Sequence, residues 1–271
     1  VSVNVQVPEV VVMPHPVPHV EAVPAVPAPP VDPRAQKEPE ELVLCGDLLV
    51  KSLPAGTTLQ VENGVGSVVI RGGDERDCTI QAVARIRGVG REEAERIAEE
   101  IVVQVTPVDG RVRIAVQMPE GMSDEQRNRI AVDLQIVAPR DVQVQANQRI
   151  GNVSLSDLQG KATADVDVGA IDARDLQGDV SLRTNVGNIL FAAPADLSAK
   201  IQAQAQIGSI SSNLPLEVTG AAVMHAGNAQ NALGSHATGT LGDGKNKIEL
   251  RTNVGSIQIQ QKSPSQDREA F

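Results

Sequence analysis

The stretch Asn185-Val186-Gly187-Asn188-Ile189-Leu190-Phe191 is one copy of a short pattern that recurs in the second half of the chain. In the typical copy a polar residue and a β-branched residue precede a glycine, and an aliphatic residue follows the glycine by two positions. The glycines of the copies, with an earlier and less complete one first, are Gly66, Gly151, Gly169, Gly187, Gly208 and Gly255. From Gly151 to Gly208 the separations are 18, 18 and 21 residues. A regular period of this length indicates repeated structural units.

The period predicts an all-β fold, a single-stranded parallel β-solenoid (β-helix) with rungs of about 18–21 residues. Each rung would contribute a short strand, a turn, a longer strand and a corner at the glycine, because a tight turn favours a residue without Cβ. Stacking would place Val153, Ile171 and Ile189, each 18 residues apart, in one apolar interior column. A left-handed hexapeptide helix fits less well, since the inward positions do not recur every six residues.

The segment before the repeats predicts a cap for the N-terminal side of the solenoid. Apolar and polar residues alternate there over strand-length segments, at 41–51, 57–71, 79–87, 101–106, 111–117 and 130–137. One short helix is predicted at Arg91–Glu100, since Ala94, Ile97 and Ala98 fall on one face. Residues 219–244 break the period and predict a long loop or an irregular rung.

Proline usage divides the chain into three parts. Ten of the 17 prolines lie in residues 1–41, where closely spaced proline favours an extended spacer without a core. We therefore predict a Pro/Val-rich disordered linker or stalk at 1–41, although the alternating start at 1–7 also fits a strand. Residues 42–262 form the predicted domain, with the cap at 42–140 and regular rungs at 141–262, and 263–271 form a disordered tail.

Composition and charge exclude several classes of partner. The net charge of −10 opposes binding to nucleic acid, and the chain has no Trp, no Tyr and two Phe with which to stack bases or sugar rings. No run of 18 or more apolar residues is present, so we expect contact with a membrane only through an anchor upstream of Val1.

Metal and cofactor motifs are absent from the sequence. Cys45 and Cys78 lack metal-binding spacing and are either a disulfide pair or two buried thiols. The histidine pairs, His15 with His19 and His225 with His236, lack further ligands. We predict no cofactor and no catalytic residue.

Acidic residues cluster on two of the predicted rungs, at Asp157, Asp165, Asp167, Asp172, Asp175 and Asp179. Stacking would bring Asp157 beside Asp175, where the two carboxylates repel unless a cation lies between them. These two residues form the candidate cation site. The alternative is that the acidic corners simply face water.

The glycine-centred copies, the acidic helix at 91–100 and the closing Ile-x-Leu-x-Thr-Asn-Val-Gly-Ser-Ile-x-Ile at 248–259 resemble the bacterial putative-adhesin β-strand-repeat family, a domain family of unknown function. The resemblance covers residues 42–262. It implies a solenoid exposed at the cell envelope, often tethered by an N-terminal anchor, and brings no catalytic residues. The long Pro-rich leader and the near lack of aromatic residues depart from the family pattern.

The sequence therefore predicts a non-enzymatic structural scaffold or adhesin-like binding module in the bacterial cell envelope, either periplasmic or extracellular. Its partner would be a protein, a surface or a second copy of the chain. Two alternatives stay open. The first is the ectodomain of an envelope-stress or anti-sigma system. The second is a polysaccharide-active β-helix enzyme that uses aspartates on one face.

Overall fold

The computed structural model of the chain describes residues 10–12, 40–219 and 234–261. The strands of the first half are β1 (Val10–Val12), β2 (Glu40–Val50), β3 (Thr58–Val65), β4 (Val68–Gly73), β5 (Cys78–Arg87), β6 (Val102–Val108), β7 (Arg111–Gln117) and β8 (Ile130–Pro139). The first-half helices are α1 (Arg91–Glu100) and α2 (Asp124–Asn128).

Twelve further strands follow in the described part of the second half. These are β9 (Gln143–Ile150), β10 (Val153–Ser156), β11 (Ala162–Val168), β12 (Ile171–Arg174), β13 (Val180–Val186), β14 (Ile189–Ala193), β15 (Ala199–Ile207), β16 (Ile210–Ser212), β17 (Glu217–Thr219), β18 (Ser235–Leu241), β19 (Asn246–Val254) and β20 (Ile257–Gln261).

The strands form two mixed sheets of ten strands each. Sheet 1 has the order β1-β2-β5-β8-β4-β10-β12-β14-β20-β16, and sheet 2 has the order β17-β18-β15-β19-β13-β11-β9-β3-β7-β6. The predicted single-stranded parallel β-solenoid is therefore wrong. Antiparallel pairs such as β2 with β5 and β15 with β18 are part of the sheets, and the described residues form two helices instead of one.

Six strand pairs connect the sheets, and each pair is called a layer here. In a layer, a strand of sheet 2 turns at a corner glycine and continues as a strand of sheet 1; the layers are β3/β4, β9/β10, β11/β12, β13/β14, β15/β16 and β19/β20. Within sheet 1, Val153 pairs in parallel with Ile171, and Ile171 pairs with Ile189. The 18-residue spacing thus identifies true neighbours within a fold of a different class.

The layers do not follow chain order, which is the physical reason for the wrong fold prediction. Strand β19 lies between β13 and β15 and pairs in parallel with both. This insertion brings the identical segments at 182–187 and 250–255 side by side, with Leu182 paired to Leu250 and Thr184 to Thr252. A sequence period shows which segments have matching shapes, but it does not show the order in which matching segments pack.

The apolar core contains the inward rows of both sheets. Phe191 is fully buried and pairs in register with Ala173 on one side and Ile259 on the other. The small Ala173 side chain leaves room for the aromatic ring in the tightly packed interior. Alternation of buried and exposed residues along β11 and β13 keeps polar side chains on the outer face.

The N-terminal region is built by antiparallel pairing and by helices. Strand β5 pairs antiparallel with both β2 and β8, and α1 packs against β2 with Ala94 and Ala98 buried. The bounds predicted for α1 agree with the structure. Helix α2 begins with a capping box, in which Ser123 and Gln126 exchange side-chain-to-backbone hydrogen bonds.

The predicted linker at 1–41 includes β1, which pairs antiparallel with Leu48, Leu49 and Val50 of β2. The disordered character of that segment and of the tail at 263–271, like the division into cap and rungs, stays a prediction. His15, His19 and His225 lie outside the described residues. So does part of the predicted irregular segment, whose described portion contains β18 and its exposed His236.

Candidate functional site

The corner glycines form a column of close backbone contacts. Gly151 has φ +131°, and a Cβ added there would lie 1.6 Å from the carbonyl oxygen of Gly66. Added Cβ atoms at the other corners would also lie 2.0 Å or less from a backbone oxygen of the neighbouring strand, at Gly66, Gly169, Gly187, Gly208 and Gly255. No L-residue with a side chain fits this spacing, so the column serves the packing of the layers.

Inward polar side chains hydrogen-bond to carbonyls of this column. The Thr184 hydroxyl donates to the Gly169 oxygen over 2.9 Å, and Thr252 donates likewise to Gly187 over 2.9 Å. In the layer nearest the N-terminal region, the Gln148 amide donates to the Gly66 oxygen over 2.9 Å. These side chains satisfy buried acceptors, a role that the sequence prediction missed.

The acidic residues predicted on two rungs are divided between the faces of the two sheets. Asp165 and Asp167 lie on the outer face of sheet 2, whereas Asp172 lies in β12 of sheet 1 and forms a two-point contact with Arg174. Because the sheets face opposite sides, these carboxylates do not converge on one groove.

The candidate cation residues Asp157 and Asp175 share a turn conformation with φ of 59° and 53°. Asp157 also has a cationic neighbour, since its Oδ2 lies 3.4 Å from Nε of Arg71. Within the described part of the chain, no group of three or more His, Cys, Asp or Glu side chains could hold a metal ion. A cation between the two aspartates stays a prediction.

A surface depression of about 540 Å³ lies on sheet 2, where the N-terminal region meets the repeats. Residues of β3, β7, β9 and β11 line it: Glu62, Asn63, Gly64, Arg113, Ala115, Val116, Gln117, Asn147, Gln148, Arg149, Asp165 and Asp167. The depression thus combines residues that are up to about a hundred positions apart in sequence. For this reason, no local sequence motif identifies it.

Charged groups of both signs surround the depression. Glu62 and Arg113 form an ion pair with 2.5 Å between Oε2 and Nη2, and this hydrogen bond lowers the pKa of Glu62. In contrast, the side chains of Arg149, Asp165 and Asp167 make no hydrogen bond or ion pair with any other described residue. Three charged groups in the wall are therefore available to a ligand.

Two inward-pointing amide side chains behind the depression have oxygens without a hydrogen-bond donor. Asn63 and Gln148 are 6% and 3% exposed and pair in register on β3 and β9. Their amide nitrogens donate to backbone oxygens, Asn63 to Val132 and Gln148 to Gly66. The oxygens Oδ1 of Asn63 and Oε1 of Gln148 have no partner. Gln148 pairs in register with the buried Val166, so both side chains lie on the inward row and their oxygens do not face the depression.

The cysteines supply no reactive thiol. Both are free, and β2 and β5 pair with Cys78 opposite Val50, five residues along from Cys45. This separation is about 16 Å along a strand, too far for a disulfide. Burial raises the pKa of Cys45 to about 11 and that of Cys78 to about 12. Neither thiol forms a nucleophilic thiolate near neutral pH.

No protein-family model and no curated protein matches the sequence. Solved bacterial proteins are similar in structure. One is a putative cell adhesion protein from Clostridium sporogenes, 17% identical with a TM-score of 0.51 over 83% of this chain and 100% of that chain. A putative adhesin from Bacteroides fragilis is 11% identical with a TM-score of 0.27, over 81% of this chain and 97% of that chain.

A lipid-binding protein of Parabacteroides distasonis, also named putative, is 8% identical with a TM-score of 0.22, over 83% of this chain and 97% of that chain. The Clostridium structure shows a shared fold. Within residues 10–12, 40–219 and 234–261, no helix has the length and apolar character needed to cross a membrane.

Proposed function

We propose that the chain is a non-enzymatic binding protein of the bacterial cell surface or envelope, of the adhesion type. The observation that carries this proposal is the outer face of sheet 2, an open, polar surface that continues across the layers. The fold shared with a Clostridium protein named for cell adhesion agrees with this assignment.

The layers present polar and charged side chains in rows on this face. Asn185 and Asn253 occupy equivalent positions of β13 and β19, and their side chains are hydrogen-bonded. Strand β15 adds the exposed Gln202, Gln204 and Gln206. Rows of polar and charged groups at the strand spacing of about 4.8 Å suit repeated weak contacts with an extended polymer or surface.

Three ion-paired carboxylates on the two sheets are held in their charged form. The hydrogen bond from Arg113 lowers the pKa of Glu62, and the hydrogen bond from Lys247 lowers that of Glu249. The pKa of Asp133 is also below its ordinary value. General acid–base catalysis at neutral pH favours carboxyl pKa values raised toward neutrality. These shifts go in the opposite direction and keep the groups as charged contacts.

The test is a binding and turnover assay with the full chain. The protein would be applied to immobilised bacterial cell-wall polysaccharides, host matrix proteins and its own immobilised copies, and retention and polymer length would be measured together. We expect saturable retention on at least one surface with unchanged polymer length. Polymer shortening in proportion to the protein added, or the absence of retention on every surface, would overturn the proposal.

A further inference from the structure

We infer that a row of exposed aliphatic side chains beside the corner glycines is a contact surface for a second copy of the chain, in an antiparallel dimer. The row is called the ridge here and contains the residue before each corner glycine: Val65, Ile150, Val168, Val186, Val254 and Ile207. The inference goes beyond the proposed function, because it concerns self-association through a surface other than the polar rows of sheet 2.

The strand pairing places the six residues of the ridge in one continuous row. Each residue is the register partner of the next, from Val65 with Ile150 to Val254 with Ile207. Since neighbouring strands are about 4.8 Å apart, the ridge is about 24 Å long. The five residues from Ile150 to Ile207 are between 43% and 54% exposed, and Val65 is half-buried. Five of the eleven exposed large hydrophobic side chains in the described part of the chain therefore lie on one line.

The ridge departs from the pattern of the strands that carry it. Elsewhere on β11 and β13 the exposed positions hold polar or charged residues, such as Asp165 and Arg183. The corner itself requires a glycine, which does not explain an aliphatic residue before it in every layer. A contiguous exposed apolar surface marks a site of interaction. The ridge is thus a surface that a partner covers.

The residues that flank the ridge leave this surface nearly uncharged. The flanks are the residue before each ridge residue and the residue after each corner glycine: Gly64, Arg149, Asp167, Asn185, Asn253 and Gln206 on one side, and Ser67, Asn152, Ala170, Asn188, Ser256 and Ser209 on the other. Arg149 and Asp167 are the two charged groups among them, and their charges cancel. A copy with a net charge of −10 can therefore approach along the ridge, because charges beyond about 8 Å are screened at physiological salt.

A second copy matches the ridge in both spacing and charge. Consider a two-fold axis that lies in the contact plane, perpendicular to the ridge and midway between β9 and β11. The rotation reverses the order of the layers and keeps each flank on its own side, so Ile150 of each copy faces Val168 of the other. It also places Arg149 of each copy opposite Asp167 of the other. Both charged groups then gain a partner that they lack among the described residues of a single chain.

The dimensions of the ridge limit the strength of the dimer. A standard stable interface buries about 800 Å² on each partner. A strip about 24 Å long and roughly 15 Å wide supplies about half of that area. We therefore expect a dissociation constant on the order of 0.1 mM, which favours dimers where the chain is concentrated on a surface. Each dimer would present twice the number of polar rows to a polymer.

The first test is sedimentation velocity of the full chain at physiological salt, from about 10 µM to about 500 µM, a range that brackets the expected dissociation constant. We expect a shift from monomer to dimer as the concentration rises. Ile150→Thr combined with Val168→Thr keeps the β-branched shape, makes the centre of the ridge polar and should weaken the dimer at least about ten-fold. Val69→Thr makes the same change at an exposed position of sheet 1 and should leave the affinity unchanged.

A second test exchanges charges and leaves the apolar residues intact. Arg149→Asp places carboxylates opposite each other across the axis, and Asp167→Arg places guanidinium groups there, so each variant alone should dimerise at least about five-fold more weakly. In an equimolar mixture, a chain with Arg149→Asp meets a chain with Asp167→Arg and every facing pair again has opposite charges. The mixture should therefore recover the affinity of the unaltered chain. Both positions are exposed, so the variants should fold.

Three results would overturn the inference. These are a chain that stays monomeric up to about 0.5 mM, equal affinity of the double threonine variant and the unaltered chain, and a mixture of the charge variants that associates no better than either alone. A monomeric chain that binds phosphatidylcholine vesicles through the ridge would also overturn it and assign the ridge to a lipid surface. Retention on polysaccharides and matrix proteins is measured separately, so loss of the dimer with unchanged retention would leave the proposed binding function standing.

Discussion

The N-terminal region, β2 to β8, and the repeat region, β9 to β20, share two sheets but are stabilised in different ways. The N-terminal region has ion pairs between distant segments, such as Arg85 with Asp133 and Arg113 with Glu62. The repeat region shows pairs within one strand, such as Lys247 with Glu249, and its layers are aligned by corner glycines and by hydrogen bonds to their carbonyls.

The comparison shows two ways in which the position of a strand in its sheet is determined. In the repeats, a residue is placed by the equivalent residue of the next layer, so identical segments pair with one another. In the N-terminal region, ion pairs such as Arg85 with Asp133 and Arg113 with Glu62 join residues of different strands. Substitution of a corner glycine should therefore lower stability through a clash with the neighbouring backbone. Substitution of an ion-paired residue in the N-terminal region should lower stability through the loss of one charged contact.

The largest expected effect is that of Gly151→Ala. The added Cβ meets the Gly66 oxygen and is strained at a φ of +131°, so the free energy of unfolding should fall by more than about 3 kcal/mol. Gly64→Ala is the control, because its Cβ meets nothing within 4 Å, and it should change stability by less than about 0.5 kcal/mol. Urea unfolding followed by circular dichroism would measure both. Equal effects would show that the column does not align the layers.

The next largest loss of stability is expected for Asp133→Asn in the N-terminal region. The Asp133 carboxylate accepts hydrogen bonds from the Ser67 backbone and hydroxyl and from Arg85. Burial raises the pKa of Asp133, but these hydrogen bonds together with the Arg85 charge outweigh it and hold the pKa below its ordinary value. The substitution should cost about 2 kcal/mol at neutral pH, because charged hydrogen bonds are weakened.

The pH dependence of this effect has a definite sign. A carboxyl whose pKa is lowered by folding stabilises the protein above its unfolded pKa of about 3.9, and this contribution is lost as the pH falls through the folded value. The stability gap between the unaltered chain and Asp133→Asn should therefore be full at neutral pH and narrow below about pH 4. Urea midpoints over this range would measure the gap, and a constant gap would contradict the assignment.

A smaller effect is expected for Thr184→Val. The substitution keeps the side-chain shape and removes the hydroxyl that donates to the Gly169 oxygen. Val166 occupies the equivalent inward position of β11, so the row accepts valine sterically. We expect a loss of about 1 kcal/mol. Thr163→Val, on the outer face, is the matched control and should show less than half of that loss in the same unfolding assay.

The last prediction concerns the reactivity of the two thiols of the N-terminal region, for which we expect almost no signal in the folded chain. With pKa values that burial raises to about 11 and 12, Cys45 and Cys78 should stay unlabelled by a thiol reagent at mildly alkaline pH while the chain is folded. Labelling should appear in step with urea unfolding. Fast labelling of Cys78, the fully buried one of the two, in the folded chain would show that this region opens independently of the repeats.

Sequence reasoning reached the local features and missed the non-local ones. Helix α1 and the corner glycines follow from spacing within a short window, which determines backbone conformation. The insertion of β19 and the antiparallel pairing of β5 depend on which distant edges meet, and no local pattern records this. The depression is missed for the same reason.

The glycine column and the polar rows of sheet 2 both depend on β19 lying between β13 and β15. Crosslinking in a chain whose native cysteines are replaced by alanine tests this directly. Arg183→Cys with Arg251→Cys joins paired neighbours, about 5 Å apart, whereas Arg183→Cys with Gln204→Cys joins positions two strands apart, about 10 Å and beyond disulfide reach. We predict that oxidation links the first pair and leaves the second free; a link in the second pair alone would contradict this layer order.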